Sequence, residues 1–275
     1  MKLSVLSCYL ARYLSKNEIT LILEFFFGVK GRIILFTQPN LEVSTRIKNQ
    51  CFNIVRRRQE DVPLAYLLNH CFFYDLKLSI NYHCLIPRPD SELLVDQAIE
   101  CLKKMGRTQP RCLDLATGSG AIILALKNKY RSIVGFGSDI SIPAIAIAKK
   151  NAQALQLRVE FIIADWGSAF LSNSFDVITA NPPYVSYDEL HLMNRETSYE
   201  PADALFTSKK GISAYQQLIP QCARLLAPSG WLCLEHGFSQ MNVVQKLLLS
   251  HNFKSVLTYN DLEGQPRVTI GRMGE

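Results

Sequence analysis

From residue 111 onward the chain alternates strand-length apolar runs with segments of helical spacing. No other feature limits the possible folds as much. "RCLDLA" (111–116), "SIVGFGSDI" (132–140), "VEFIIAD" (159–165), "FDVITANPPY" (175–184), "WLCLEHG" (231–237) and "PRVTIGRM" (266–273) read as strands. Between them, "AIILALKNKY", "SIPAIAIAKKNAQAL", "ISAYQQLIPQCARLLAPSG" and "MNVVQKLLLSHN" read as helices. Strands separated by helices pair in parallel through crossovers. The pattern predicts an α/β fold with a doubly wound, mainly parallel sheet whose ligand site lies beyond the strand carboxyl ends.

The upstream part differs. Residues 1 to about 70 carry apolar stripes at helical spacing: Leu6, Leu10, Tyr13 and Leu14, then Ile47, Cys51, Ile54 and Val55. "GVKGR" and "TQPN" interrupt them, so a small helical bundle is expected. The period then changes to two, with Leu76, Leu78, Ile80 and Tyr82 marking a β-hairpin. "SELLVDQAIECLKKM" returns to helical spacing, with Ser91 a plausible cap. The expected organisation is a helical domain over 1–72, a hairpin linker over 73–90 and the α/β domain over 91–275.

The candidate site begins in "LDLATGSGAIILAL". Gly118 and Gly120 permit close backbone approach to a ligand, and the following helix offers free N–H groups. A dinucleotide loop wants a third glycine where Ile123 stands, and the Gly-Lys-Ser/Thr of a P-loop is absent. Asp114 precedes the loop. Asp139 ends the second strand, where an acid can bond ribose hydroxyls or simply cap the next helix. Asp165-Trp166 ends the third; the carboxylate can accept from an adenine amino group under the indole, or the pair can be a cap beside a core Trp. Together, three acids and a glycine loop suit a nucleoside with a zwitterionic tail and no phosphates.

"NPPY" (181–184) sets an amide, two prolines and a ring after the fourth strand. Each proline fixes its own φ and restricts the residue before it, so the carbonyls of Asn181 and Pro182 are held still. Asn181 Oδ1 and the Pro182 carbonyl can then accept from both hydrogens of a planar amide or amine, with Tyr184 offering a flat face.

With these motifs in view, the sequence resembles the class I S-adenosylmethionine-dependent methyltransferases that modify amino groups. "LIPRPDSE" (85–92), "YEPADAL" (199–205) and "GQPRVTIGR" (264–272) make it most similar to the peptide chain release factor glutamine N(5)-methyltransferases, the HemK/PrmC family. The resemblance covers about residues 56–275. It implies a seven-stranded Rossmann-like sheet and S-adenosyl-L-methionine as cofactor. It also implies methylation of the glutamine amide in the Gly-Gly-Gln tip of class 1 release factors, gripped by the helical domain. Cofactor contacts are implied at Asp114, Ala116, Thr117, Gly118, Ser119, Gly120, Asp139, Asp165, Trp166 and Asn181. Catalytic and substrate contacts are implied at Asn181, Pro182, Pro183 and Tyr184. NPPY is shared with nucleic-acid amino-methyltransferases, and the ribosomal-protein glutamine methyltransferases resemble the rest. Either is the alternative acceptor class.

Two positions depart from the family pattern. Ala116 stands where the loop usually has its first glycine; its methyl is tolerated where φ is negative, and at most a small change in cofactor affinity is expected. Ala202 stands where relatives often carry Arg. Arg88 is expected either to orient the linker between domains or, the favoured reading, to bridge a carboxylate such as Asp90 or Glu92, and Glu200 to be structural.

Composition sets the remaining bounds. Hydrophobic residues make up 48% and charged residues 20%, which excludes wholesale disorder. Of the net charge of +6, residues 1–75 contribute +4 and the last 200 residues only +2, too little for a surface that tracks nucleic acid. No stable nucleic-acid partner is expected. "RRR" (56–58) could face an acidic partner, but a solvated helix end is the favoured reading. Eight scattered cysteines without a C-x-x-C pair read as reduced thiols, and five histidines form no ligand set, so no metal is expected. "ITLILEFFFGV" is too short for a bilayer and is broken by Glu24. The expectation is a cytoplasmic monomer without membrane attachment.

Overall fold

The computed structural model describes residues 1–28 and 31–275; Val29 and Lys30, inside the "GVKGR" break, lie outside the described residues. The chain divides into two units, Met1–His70 with Asn194–Tyr199, and Cys71–Met193 with Glu200–Glu275. The return of 194–199 to the first unit was not visible in the local pattern, because polar contacts hold it there.

The first unit contains α1 (Leu3–Leu10), α2 (Lys16–Phe27), α3 (Gly31–Thr37), α4 (Thr45–Gln59) and α5 (Leu64–Leu68). A reciprocal Ser15–Glu18 capping box starts α2, and the Ser44 hydroxyl accepts from the Ile47 N–H to start α4. Leu3, Leu6, Leu10, Ile22, Leu23, Cys51, Ile54 and Val55 fill the core. Tyr13 was expected in that stripe but is 48% exposed, because α1 ends at Leu10 and the helical period stops with it. Arg58 departs from the solvated reading of the basic run. Its guanidinium donates to Glu18, Glu196 and the Val62 carbonyl at 2.7–2.8 Å, and the Tyr199 hydroxyl bonds the Glu60 carbonyl at 2.8 Å. These bonds pin 194–199. Arg56 and Arg57 pair with Glu60 on the surface.

The hairpin is β1 (His70–Phe73) and β2 (Leu76–Ser79), three residues earlier than expected at its start. Leu76, Leu78 and Ile80 are buried, but Tyr82 lies beyond the strand and is 65% exposed. After α6 (Glu92–Met105) come β3 (Arg111–Leu115), α7 (Ala121–Lys129), β4 (Val134–Asp139), α8 (Ile142–Ala154), β5 (Val159–Ile163) and β6 (Phe175–Ala180). A two-residue strand β7 (Val185–Ser186) then pairs in parallel with β8 (Phe206–Thr207). β9 (Leu226–Glu235), β10 (Phe253–Asn260) and β11 (Pro266–Met273) complete the chain.

The main sheet has seven strands in the order β10-β11-β9-β6-β3-β4-β5. β11 runs antiparallel to both neighbours; the rest are parallel. Every residue of β6 is buried, as expected of a central strand covered on both faces. The local pattern displayed six strands and missed β10. Its register slips between Lys254 and Leu257, and Ser255 has φ +51°, so a bulge breaks the two-residue period. From β3 the chain winds one way through β4 and β5, then the other way through β6 and β9. The strand order therefore reverses between β3 and β6, where an open α/β sheet leaves its crevice.

Candidate active site

A cleft of about 530 Å³ opens at this switch point, within the range of small-molecule sites. Of the residues expected to form the site, Ala116, Gly118, Asp139, Asp165, Trp166, Asn181 and Pro183 line it. The expected contacts at Asp114, Thr117, Ser119, Gly120, Pro182 and Tyr184 are not among its lining side chains. For Asp114, Gly120 and Tyr184 the surroundings of each show what holds it.

Asp114 is fully buried, accepting from the Thr117 hydroxyl at 2.6 Å and the Thr179 hydroxyl at 2.8 Å. Burial raises its pKa to about 7. It anchors the glycine loop from beneath, as a brace. Gly120 also serves packing: its φ is +81°, and a Cβ there would meet Leu124, Ala148 and Phe161 at 3.1–3.2 Å. Gly118 is different. Its φ is +54°, and a Cβ would meet nothing within 4 Å, so its backbone faces open space in the cleft wall. Ala116 has φ +55°, which removes the condition on which its methyl was expected to be harmless.

Asp139 holds the loop in place. Its Oδ2 accepts from the Gly118 N–H at 2.8 Å and its Oδ1 from the Ser141 N–H at 2.9 Å. Burial raises its pKa despite these bonds. Asp165 and Trp166 continue the wall. Trp166 has φ +48°, its carbonyl accepts from the Ser138 hydroxyl at 2.9 Å, and its indole N–H reaches Gln217 at 3.4 Å. Three carboxylates, Asp139, Asp165 and Asp203, line the cleft, and no Lys or Arg does among the described residues. A cationic ligand fits such a wall, and a phosphate-bearing one does not.

At the far side, Asn181 Nδ2 donates to Ser91 Oγ at 3.1 Å. Ser91 was expected to cap α6, but it makes no capping bond. Tyr184, expected to offer a flat face, is not among the residues lining the cleft. Its hydroxyl reaches Glu235 Oε1 at 3.3 Å, and its carbonyl accepts from Gln240 Nε2 at 2.8 Å.

The "PRPDSE" segment ties the scattered motifs together. Arg88 pairs with buried Glu200 rather than with Asp90 or Glu92, and Glu200 also accepts from the Ile86 N–H at 3.0 Å. Asp90 faces Arg267 at 3.6 Å, and Glu92 accepts from the Tyr74 N–H at 2.8 Å. Ala202 is exposed at the start of a short helical turn, while the next residue, Asp203, reaches the cleft.

Three contributors were missed. Asn151 bonds the Ser79 main chain at 2.7 and 3.1 Å and the Ser119 carbonyl at 2.9 Å, joining the hairpin to the glycine loop. Nothing in "AKKNAQ" marks it. Gln240 is equally unmarked. Glu235, a carboxylate ending an apolar strand, carried the same signal as Asp139.

Comparison with known proteins separates the possibilities. The methyltransferase small domain family matches residues 91–260. A release factor glutamine methyltransferase from Yersinia pestis is 36% identical over 258 residues, 94% of this chain and 92% of the relative. The enzyme of that description from Thermodesulfovibrio yellowstonii is 35% identical, covering 87% of this chain and 86% of its own.

This chain belongs to the release factor glutamine methyltransferase family.

Its fold is that of class I methyltransferases. A methyltransferase from Pyrococcus furiosus superposes with a TM-score of 0.52 at 18% identity, over 72% of this chain and 90% of its own. A ribosomal protein L11 methylase from Lactobacillus delbrueckii gives 0.50 at 18% identity, over 71% and 84%. These two speak for the fold alone.

Proposed function

We propose that this chain methylates the side-chain amide nitrogen of a release-factor glutamine, the one in the Gly-Gly-Gln tip of class 1 factors, using S-adenosylmethionine. The observation that carries the reading is a single cleft, acidic and without Lys or Arg among the described residues, that has an open glycine backbone at one side and Asn181-Pro183 at the other.

S-adenosylmethionine supplies, when bound, a methyl group on a cationic sulfur. The acidic wall suits that charge, and the open space over Gly118 suits a close ligand. Asp139 would take the ribose hydroxyls. Two of its lone-pair positions are used by the Gly118 and Ser141 N–H groups, which leaves acceptor capacity and fixes the carboxylate plane. Asp165 and Trp166 would take the base.

A glutamine amide nitrogen is a weak nucleophile because its lone pair is delocalised into the carbonyl. As the nitrogen attacks it gains positive charge and pyramidalises. Acceptors on both of its hydrogens favour that change, and rigid acceptors need no reorganisation. Asn181 Oδ1 and the Pro182 carbonyl would be this pair, with Pro182 and Pro183 limiting the backbone. No base is required, since the product amide loses its proton to water readily. The helical unit is the candidate grip on the release factor, and we take the working enzyme to be a cytoplasmic monomer.

The test is transfer of labelled methyl from S-adenosylmethionine to a purified class 1 release factor and to its tip Gln→Ala variant. Label on the first alone supports the reading. Equal labelling of both, or labelling of ribosomal protein or nucleic acid instead, overturns the substrate.

A further inference from the structure

A proline ring fixes φ but leaves ψ free, and it removes the N–H by which a segment could be tied down. In Asn181-Pro182-Pro183-Tyr184 the two middle residues have no backbone donor of their own. The direction of the Pro182 carbonyl therefore depends on how the two ends are held. At the near end the Asn181 side chain donates to Ser91 at 3.1 Å. At the far end Tyr184 is held twice. Its hydroxyl reaches Glu235 Oε1 at 3.3 Å, and its carbonyl accepts from Gln240 Nε2 at 2.8 Å.

Gln240, 8% exposed, is itself fully committed. A side-chain amide offers two donors and two acceptor lone pairs, and here all four are used. Oε1 accepts from the Gly237 N–H at 3.0 Å and from the Tyr215 hydroxyl at 3.3 Å. Nε2 donates to the Tyr184 carbonyl and, at 3.3 Å, to the Gly211 carbonyl. A backbone N–H can only donate, so Oε1 must face Gly237 and the NH2 must face the two carbonyls.

Gly211 closes the other side. It follows Lys209 and Lys210 in a run of three left-handed residues, with φ +53°, +56° and +80°. A Cβ on Gly211 would collide with both the Tyr184 carbonyl and Gln240 Nε2. Backbone in this region is kept only where the surroundings impose it. The Tyr184 carbonyl is thus enclosed between a fixed amide and a fixed turn.

We propose that Gln240 positions the Pro182 carbonyl by pinning the Tyr184 carbonyl two residues further on. That the Pro182 carbonyl takes a hydrogen of the substrate amide rests on the function proposed above; the pinning does not. Gln240 is a positioning residue in this scheme, since it does not line the cleft.

The test reads the pinned carbonyl directly. Tyr184-Val185 is the one Tyr-Val pair in the chain, so NMR of protein labelled at tyrosine carbonyl carbons and valine nitrogens gives a single correlation across that bond. Gln240→Leu keeps the bulk and removes both donors. Its Tyr184 carbonyl signal should move upfield, as for a lost hydrogen bond. Its kcat on release factor should fall about 10- to 100-fold, with the Kd for S-adenosylmethionine within about twofold of wild type. Gln240→Glu keeps the shape, but its carboxyl can donate to the Tyr184 carbonyl only while protonated. The ratio of its kcat to that of wild type should be high at acid pH and fall as the carboxyl ionises, and the carbonyl signal should move with the same midpoint. An unmoved carbonyl signal in Gln240→Leu, or a kcat within about twofold of wild type, overturns the proposal. Cofactor affinity lost in step with kcat overturns it as well, since Gln240 would then support the domain as a whole. If Gln240→Leu does not fold, Gln240→Glu decides, and a kcat ratio flat with pH overturns the proposal. If the wild type labels no release factor, the functional reading falls, and the carbonyl signal alone decides the pinning.

Discussion

At position 116 a methyl group sits on a backbone held at φ +55°, the region where an L-residue is strained by about 1–2 kcal/mol. Ala116→Gly should relieve part of that strain, less the extra entropy of glycine in the unfolded chain. The expected result is a gain of about 1 kcal/mol, read as a rise in Tm of about 2–4 °C, with cofactor Kd unchanged or tighter. A fall in Tm would show that the methyl packs usefully. Asn181 is the opposite kind of residue, placed at the cleft and proposed above to act on the substrate amide. Asn181→Ala should cost about 10²- to 10³-fold in kcat while S-adenosylmethionine still binds; an unchanged kcat would remove it from the mechanism. The site's surface residues were legible because strand ends, glycines and prolines announce themselves locally. Its supporting residues were not. Arg88 finds Glu200 112 positions away, and Ser79 finds Asn151 across 72. No spacing rule reaches that far.

At the scale of elements, what could be read depended on burial. The central strands, covered on both faces, stand out as continuous apolar runs. β10, an edge strand with a bulge, has no such run and was invisible. The helices of the first unit were clear from their stripes, but the segment 194–199 was not assigned to that unit. Its attachment is polar, through Arg58, whose side chain is 15% exposed and bonded to Glu18 and Glu196. Removing a mostly buried partner leaves two carboxylates without their cation. Arg58→Ala should therefore destabilise by about 2–3 kcal/mol, whereas Arg56→Ala, at an exposed i,i+4 pair, should cost under about 1 kcal/mol. Urea unfolding of the two variants checks this. Equal midpoints would mean that Arg58 behaves as one more surface charge.

Two of the buried carboxyls, Asp114 and Glu235, each have a pKa raised by burial to about 7. Between their ordinary values and that point the folded chain keeps protons that the unfolded chain releases. Stability therefore falls as pH rises through roughly 4 to 7, by at most about 1.4 kcal/mol per pH unit for each group. The Tm should drop between pH 5 and pH 7.5, and Asp114→Asn should flatten that slope. An identical slope in the variant would show that Asp114 is already ionised at pH 5. The central claim concerns chemistry and has one direct test: release factor incubated with enzyme and S-adenosylmethionine, then mapped by tandem mass spectrometry. One added methyl on the tip glutamine side chain, absent with Asn181→Ala, is the predicted result. A methyl on any other residue, or the same yield from Asn181→Ala, would contradict the account.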